Sequence, residues 1–102
     1  MNKIIAVDFD GTLCENKYPE IGEPKLDVIE KLNNEKQNGA KVILWTCRQG
    51  KFLLNALKWC FEHDIEFDCV NENLPECIDA WKNDCRKIFA NEYWDDKAIT
   101  IK

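Results

Sequence analysis

An α/β fold built on a parallel sheet follows from three features of this sequence. Short, unbroken apolar runs recur, as in Ile4-Ile5-Ala6-Val7 and Val42-Ile43-Leu44-Trp45. Such runs, rather than alternation, suit strands buried on both faces. Between them lie segments whose apolar residues return at helical spacing, so strand and helix alternate along the chain. That alternation is the pattern of βαβ units joined by right-handed crossovers.

The first strand is expected at residues 4–7, rich in β-branched side chains. A polar loop bearing Pro and Gly, Tyr18-Pro19-Glu20-Ile21-Gly22-Glu23-Pro24, leads to a helix that Pro24 can open. Leu26, Ile29 and Leu32 mark its apolar face, and Gly39 ends it. The second strand spans 42–45. Residues 52–63 then show helical recurrence through Leu53, Leu57, Cys60 and Phe61. Residues 65–70 read as a third strand and 76–86 as a polar helix carrying Ile78 and Trp81; a fourth strand ends near Tyr93-Trp94, and a fifth falls at 98–101. No repeat, linker or low-complexity stretch intervenes. The expectation is one domain over 1–102: a three-layer, Rossmann-like parallel sheet of about five strands with helices on both faces.

The bulk composition narrows the function classes. With 102 residues, 45% of them hydrophobic, the chain can build one core and not two. The net charge of −5, from 19 acidic and 14 basic residues, weighs against capture of nucleic acid or an anionic membrane. No stretch approaches the roughly 20 apolar residues that span a bilayer, and the apolar run at Ile4 lacks a signal-peptide layout. A cytoplasmic location is the expectation. Six cysteines (Cys14, Cys47, Cys60, Cys69, Cys77, Cys85) show no C-x-x-C spacing and read as reduced thiols, most of them acting as small hydrophobes.

The chemistry concentrates in Val7-Asp8-Phe9-Asp10-Gly11-Thr12-Leu13, two carboxylates two residues apart where a buried strand runs into a loop. Ligands of parallel α/β sheets bind outside the carboxyl ends of the strands, so both acids are delivered to the usual reaction site. Carboxylates this close repel, and a divalent cation is an ordinary means of keeping both ionised. Arg48 carries a guanidinium suited to bidentate phosphate binding, or equally to an ion pair.

Asp8 to Leu13 resembles the first motif of the haloacid dehalogenase (HAD) superfamily of phosphohydrolases. The resemblance implies that Asp8 attacks phosphorus, while Asp10 protonates the leaving oxygen and later activates water. A carboxylate nucleophile splits hydrolysis into two easier displacements, and a neighbouring carboxyl alternating between acid and base serves both. The second motif, an apolar strand ending in Thr or Ser, matches Val42-Ile43-Leu44-Trp45-Thr46 and implies that Thr46 binds a phosphoryl oxygen. The fourth, an acidic pair after a strand, matches Tyr93-Trp94-Asp95-Asp96. Together with Asp8 and the backbone carbonyl of Asp10, Asp95 or Asp96 would complete an oxygen shell for Mg²⁺, Asp95 being the first choice as direct ligand. The third motif is a lysine, for which Lys87 is the candidate and Lys82 the fallback. A strand running from Ile88 to Trp94 would put Lys87 roughly 20 Å from the active end at about 3.3 Å per residue. Gly11, Thr12, Cys47 and Arg48 are the expected substrate-contacting positions, with Asn71 and Asn73 further along the rim.

Relatives selective for small metabolites insert a cap after the first motif or between the second and third, and neither space is available in this chain. The resemblance is therefore to the capless branch, whose open site admits phosphate on a small molecule or a macromolecule, or uses a second subunit as its lid. Three alternatives differ in class. A phosphoreceiver domain wants an adjacent acidic pair after the first strand and an aspartate after the third, where this chain has Asn71-Glu72-Asn73. A haloalkanoate dehalogenase lacks the second aspartate. An idle or phosphoaccepting module on the same fold is separated from an enzyme by turnover.

Overall fold

The computed structural model describes residues 2–101. The elements run β1 (Ile4–Val7), β2 (Cys14–Lys17), β3 (Glu20–Pro24), α1 (Leu26–Gln37), β4 (Lys41–Leu44), α2 (Gly50–Glu62), β5 (Cys69–Val70), α3 (Pro75–Trp81) and β6 (Glu92–Trp94). Four strands form a parallel sheet of order β5-β4-β1-β6, and β2 pairs with β3 as a separate antiparallel hairpin. The chain leaves β1 for β4 on one side and returns at β6 on the other. The strand order therefore reverses at β1, where α/β sheets open a crevice at their carboxyl ends.

Side chains of β1 alternate between two cores, as a period of two requires. Ile5 and Val7, with Val42 and Leu44 of β4, pack against Ile29 and Leu32 of α1 and Ala56 and Cys60 of α2. Ile4, Ala6 and Ile43 face the other way, onto Cys77 of α3 and onto Leu74, Ile88 and Ala90. Helices thus cover both faces of the sheet. Cys14, Cys60 and Cys77 are buried among apolar neighbours, and all six cysteines are free thiols.

The sheet has four strands rather than five, since 98–101 carry no strand and Ile99 and Ile101 are exposed. The third strand shrinks from 65–70 to Cys69–Val70 because two side-chain and main-chain links take over its pairing. Asp68 accepts the Val42 N–H through Oδ2 (2.7 Å) and donates its own N–H to the Val42 carbonyl (2.8 Å), while Ile65 still bonds back to Cys60. The polar segment after the first motif, expected as a loop, is the β2–β3 hairpin, and Pro24 ends β3 instead of opening α1, whose N-cap is Lys25. Helix α3 stops at Trp81, short of Arg86, because Lys82 takes a left-handed conformation (φ 57°). Leu26 and Phe61, expected on apolar helix faces, are exposed.

Two substitutions test this layering by urea unfolding. Leu32→Ala, at a fully buried site, should cost roughly 2–5 kcal/mol. Phe61→Ser should stay within about 0.5 kcal/mol of the parent. Equal effects would mean that α1 does not seal the sheet.

Candidate active site

Three strands deliver their carboxyl ends to one place. The ladder continues beyond β1 through Asp8 N–H to the Trp94 carbonyl (2.9 Å) and Trp45 N–H to the Val7 carbonyl (2.9 Å). It continues beyond β4 through Asn71 N–H to the Leu44 carbonyl (2.8 Å). Past Asp8 the chain turns sharply, with the N–H groups of Thr12 and Leu13 both donating to the Phe9 carbonyl (3.2 and 3.0 Å). Phe9 is fully buried and pins this turn to the core, edge-on to Trp59 at 5.4 Å between ring centroids. Asp8 and Asp10, on either side of it, line a cleft of about 500 Å³ together with Thr46, Cys47, Arg48 and Asp95. Asn16 and Tyr18 of the hairpin, and Lys97, complete the wall.

Asp8, Asp95 and Asp96 each place a carboxylate oxygen within 4.8 Å of the other two. Oxygens sharing one octahedral Mg²⁺ at 2.0–2.1 Å sit about 2.9 Å apart when cis and about 4.2 Å apart when trans, so the trio can hold a single hard cation if the three side chains draw together around it. Burial first, and then the negative charges of Asp95, Asp96 and Asp10, push the Asp8 carboxyl up from 3.8 to about 6. Gly11 makes this crowding sterically feasible. It adopts φ +90°, and a Cβ there would meet Asp96 Oδ2 at 2.3 Å. Thr12 Oγ1 accepts the Asp96 N–H (3.2 Å). Gly11 and Thr12 therefore seat the acidic loop and line a shallower hollow beside it, not the main cleft.

Asp10 is held differently. Arg48 donates to its two oxygens from Nε and Nη2, both at 2.8 Å, and its side chain is 1% exposed against 16% for Asp10. Of the two readings of Arg48, phosphate binding or an ion pair, its guanidinium is in an ion pair, and a buried one. Beside it, Thr46 Oγ1 accepts the Arg48 N–H (3.1 Å), which leaves the hydroxyl proton free to donate into the cleft. Thr46 N–H donates to Asn71 Oδ1 (2.8 Å), so Asn71 shapes the second strand's end. Asn73 is 2% exposed with its amide committed to Asp84, Cys85 and Phe89, and it ties down the α3–β6 connection rather than reaching substrate.

The lysine assignments do not fit. Lys87 and Lys82 are exposed on the α3–β6 connection, and neither lines the cleft. Lys97 does, immediately after the acidic pair, with its N–H on Asp95 Oδ1 (3.0 Å). Its adjacency in Asp95-Asp96-Lys97 was a usable signal, since a residue two positions past a strand-end acid shares that strand's loop. Asn16 and Tyr18 gave no such signal, because their place depends on a hairpin that the sequence presents as a polar loop.

No protein-family model matches the chain, and no curated protein matches it. A solved structure of a conserved protein from Bacteroides thetaiotaomicron is similar to it at 36% identity over 97% of this chain and 79% of that one, with a TM-score of 0.85. Among the described residues no helix is long and apolar enough to cross a membrane.

The raised Asp8 carboxyl fixes the sign of a pH effect. Between pH 3.8 and about 6 the folded protein holds a proton on Asp8 that the unfolded chain has lost. Stability without a divalent cation therefore falls as pH rises through that window, and Asp8→Asn removes this component. Thermal melts of both proteins in EDTA across pH 4–7 check it. Parallel curves would overturn the strained-carboxylate account.

Proposed function

The chain belongs to the same family as the conserved Bacteroides thetaiotaomicron protein, and within that family we propose that it acts as a Mg²⁺-dependent phosphohydrolase of the haloacid dehalogenase type. The observation that carries this reading is the convergence of Asp8, Asp10, Thr46 and Asp95, from three separate strand ends, on one open cleft. Crowding of Asp8, Asp95 and Asp96 supports a divalent cation as the missing counter-charge.

In this reading Asp8, Asp95 and Asp96 would hold the cation, which would supply positive charge beside the phosphoryl group. Asp8 attacks phosphorus through a carboxylate oxygen, the bond to the leaving oxygen breaks, and Asp10 gives that oxygen its proton. Both Asp10 oxygens accept from Arg48, yet each keeps a second lone pair for a proton. The ionised Asp10 then takes a proton from water as the water attacks the phosphorus of the aspartyl phosphate. Asp8 and inorganic phosphate are released, and Asp10 is again protonated. Thr46 donates its hydroxyl proton to a phosphoryl oxygen, and the Lys97 ammonium offsets the charge that develops there. The segment from Cys47 to β6 is filled by α2, β5 and α3, and the segment after the first motif by the hairpin, which supports an uncapped site open to phosphate on a small molecule or a macromolecule. The acidic net charge supports neither nucleic acid nor membrane as partner.

Phosphate release from p-nitrophenyl phosphate tests the assignment. Turnover should require Mg²⁺, stop with EDTA, and vanish in Asp8→Asn. Acyl phosphate that forms on Asp8 without turnover would instead favour a phosphoacceptor, and neither result would leave a binding module. The lysine is tested in the same assay. Lys97→Ala should lower kcat/KM on the order of tenfold or more, with Lys87→Ala and Lys82→Ala close to the parent. The reverse ranking would return the role to the α3–β6 connection.

A further inference from the structure

We propose that Arg48 is a positioning residue for Asp10 and not a substrate ligand, and that it ties Asp10 to the β2–β3 hairpin, so that Asp10 is in place only while the hairpin is seated. For what Asp10 does in catalysis, this rests on the phosphohydrolase reading.

A guanidinium has five N–H donors and no acceptor. In Arg48 all five are used. Nε and one Nη2 proton hold the Asp10 carboxylate at 2.8 Å each, the other Nη2 proton goes to the Glu20 carbonyl (3.0 Å), and Nη1 serves the carbonyls of Pro19 (3.2 Å) and Phe52 (3.3 Å). No donor is left for a phosphate. Two of the five acceptors belong to the hairpin, Pro19 in its turn and Glu20 at the start of β3, and one to α2, so the guanidinium joins the first-motif loop, the hairpin and α2 at one point. Aromatic rings pack against it as well, with Phe9 of the core 5.1 Å and Tyr18 of the hairpin 5.0 Å from Cζ. A hairpin that lifts removes Tyr18 and two carbonyl acceptors together, and a buried donor without an acceptor is unstable. The hairpin's position and the orientation of the fork on Asp10 are therefore linked. Because Asn16 and Tyr18 also line the cleft, whatever occupies the cleft bears on the same joint.

Lysine cannot substitute, since its three donors radiate from one point and make no planar fork. Arg48→Lys should lower kcat by about tenfold or more while the inhibition constant of inorganic phosphate stays within about twofold, the pattern of a misplaced catalytic group and not of a lost ligand. Gly22→Ala probes the same link without touching Arg48 or Asp10. Its Cβ would fall 2.4 Å from the Glu15 carbonyl oxygen across the hairpin, forcing β2 and β3 apart, and kcat should drop while phosphate inhibition holds. A second readout needs no turnover: hydrogen exchange of the amides in residues 14–24 should speed up in both Arg48→Lys and Asp10→Ala.

Phosphate inhibition weakened tenfold or more in Arg48→Lys with kcat preserved would overturn the proposal, because the guanidinium would then be acting on phosphate. Hairpin amides exchanging at the parent rate in both variants would overturn it too. Absence of turnover in the parent protein would sink the phosphohydrolase reading alone, and the exchange rates would still decide whether Arg48 ties the hairpin to Asp10.

Discussion

Strand β1 has a hydrogen-bonded neighbour on each edge and side chains that are at most 1% exposed, and every other placement in the molecule is measured from it. Its four residues pair in unbroken register with Lys41–Leu44 on one side, and Ile5 to Val7 pair with Glu92–Trp94 on the other. A slip by one residue would exchange the two packed faces, setting Ile5 and Val7 where Ile4 and Ala6 belong. Apolar packing therefore fixes where Asp8 leaves the sheet. Because β4 and β6 are held in register against the same strand, it also fixes where Thr46 and Asp95 leave it.

That geometry creates an electrostatic problem which the chain answers in two ways. The turn anchored by buried Phe9 leaves Asp8 and Asp10 at one end of the sheet, close enough to repel, and the β6 loop brings two more carboxylates. Asp10 is compensated internally, by a guanidinium that reaches it from 38 residues away. Among the described residues Asp8 has no such partner, and burial and its acidic neighbours displace its carboxyl upward. The asymmetry suits a division of labour: one acid held in a fixed orientation, the other left with unmet demand for positive charge, which a metal and a phosphoryl centre would supply.

The parts of this arrangement that were legible in the sequence are those set by local pattern. Unbroken apolar runs identify β1 and β4, and the D-x-D-G-T segment identifies the strand end that matters, because burial and chemistry are written in consecutive residues. The hairpin was not legible. Cys14-Glu15-Asn16-Lys17 is mostly polar, and what makes it a strand is pairing with 20–24 at a close approach that Gly22 permits. The short β5 was over-read because Ile65 and Phe67 are core residues without being strand residues, and Asp68 completes the ladder with its side chain. At the site, Lys97 lines the cleft and Lys87 does not, since β6 begins only at Glu92 and Lys87 lies on the connection before it. The five hydrogen bonds of Arg48 go to three separate stretches of chain, at Asp10, Pro19-Glu20 and Phe52, and no local pattern announces such a set.

Stability alone does not account for the Arg48–Asp10 pair. Desolvating two charges costs about as much as their attraction returns, and a buried ion pair replaced by well-packed apolar side chains is often no less stable. Phe9 and Tyr18 already flank the site with apolar surface, although an apolar residue in place of Arg48 would take the guanidinium's donors away from the carbonyls of Pro19, Glu20 and Phe52. What an apolar substitute cannot do is orient. A planar fork fixes the carboxylate's rotation as well as its distance, and its remaining donors carry that constraint into the hairpin and α2. Removing either partner alone would strand the other charge, so the cost of the pair lies in maintaining both. Its return is an acid whose position is set by three segments at once, at the mouth of a cleft that the same hairpin helps to wall.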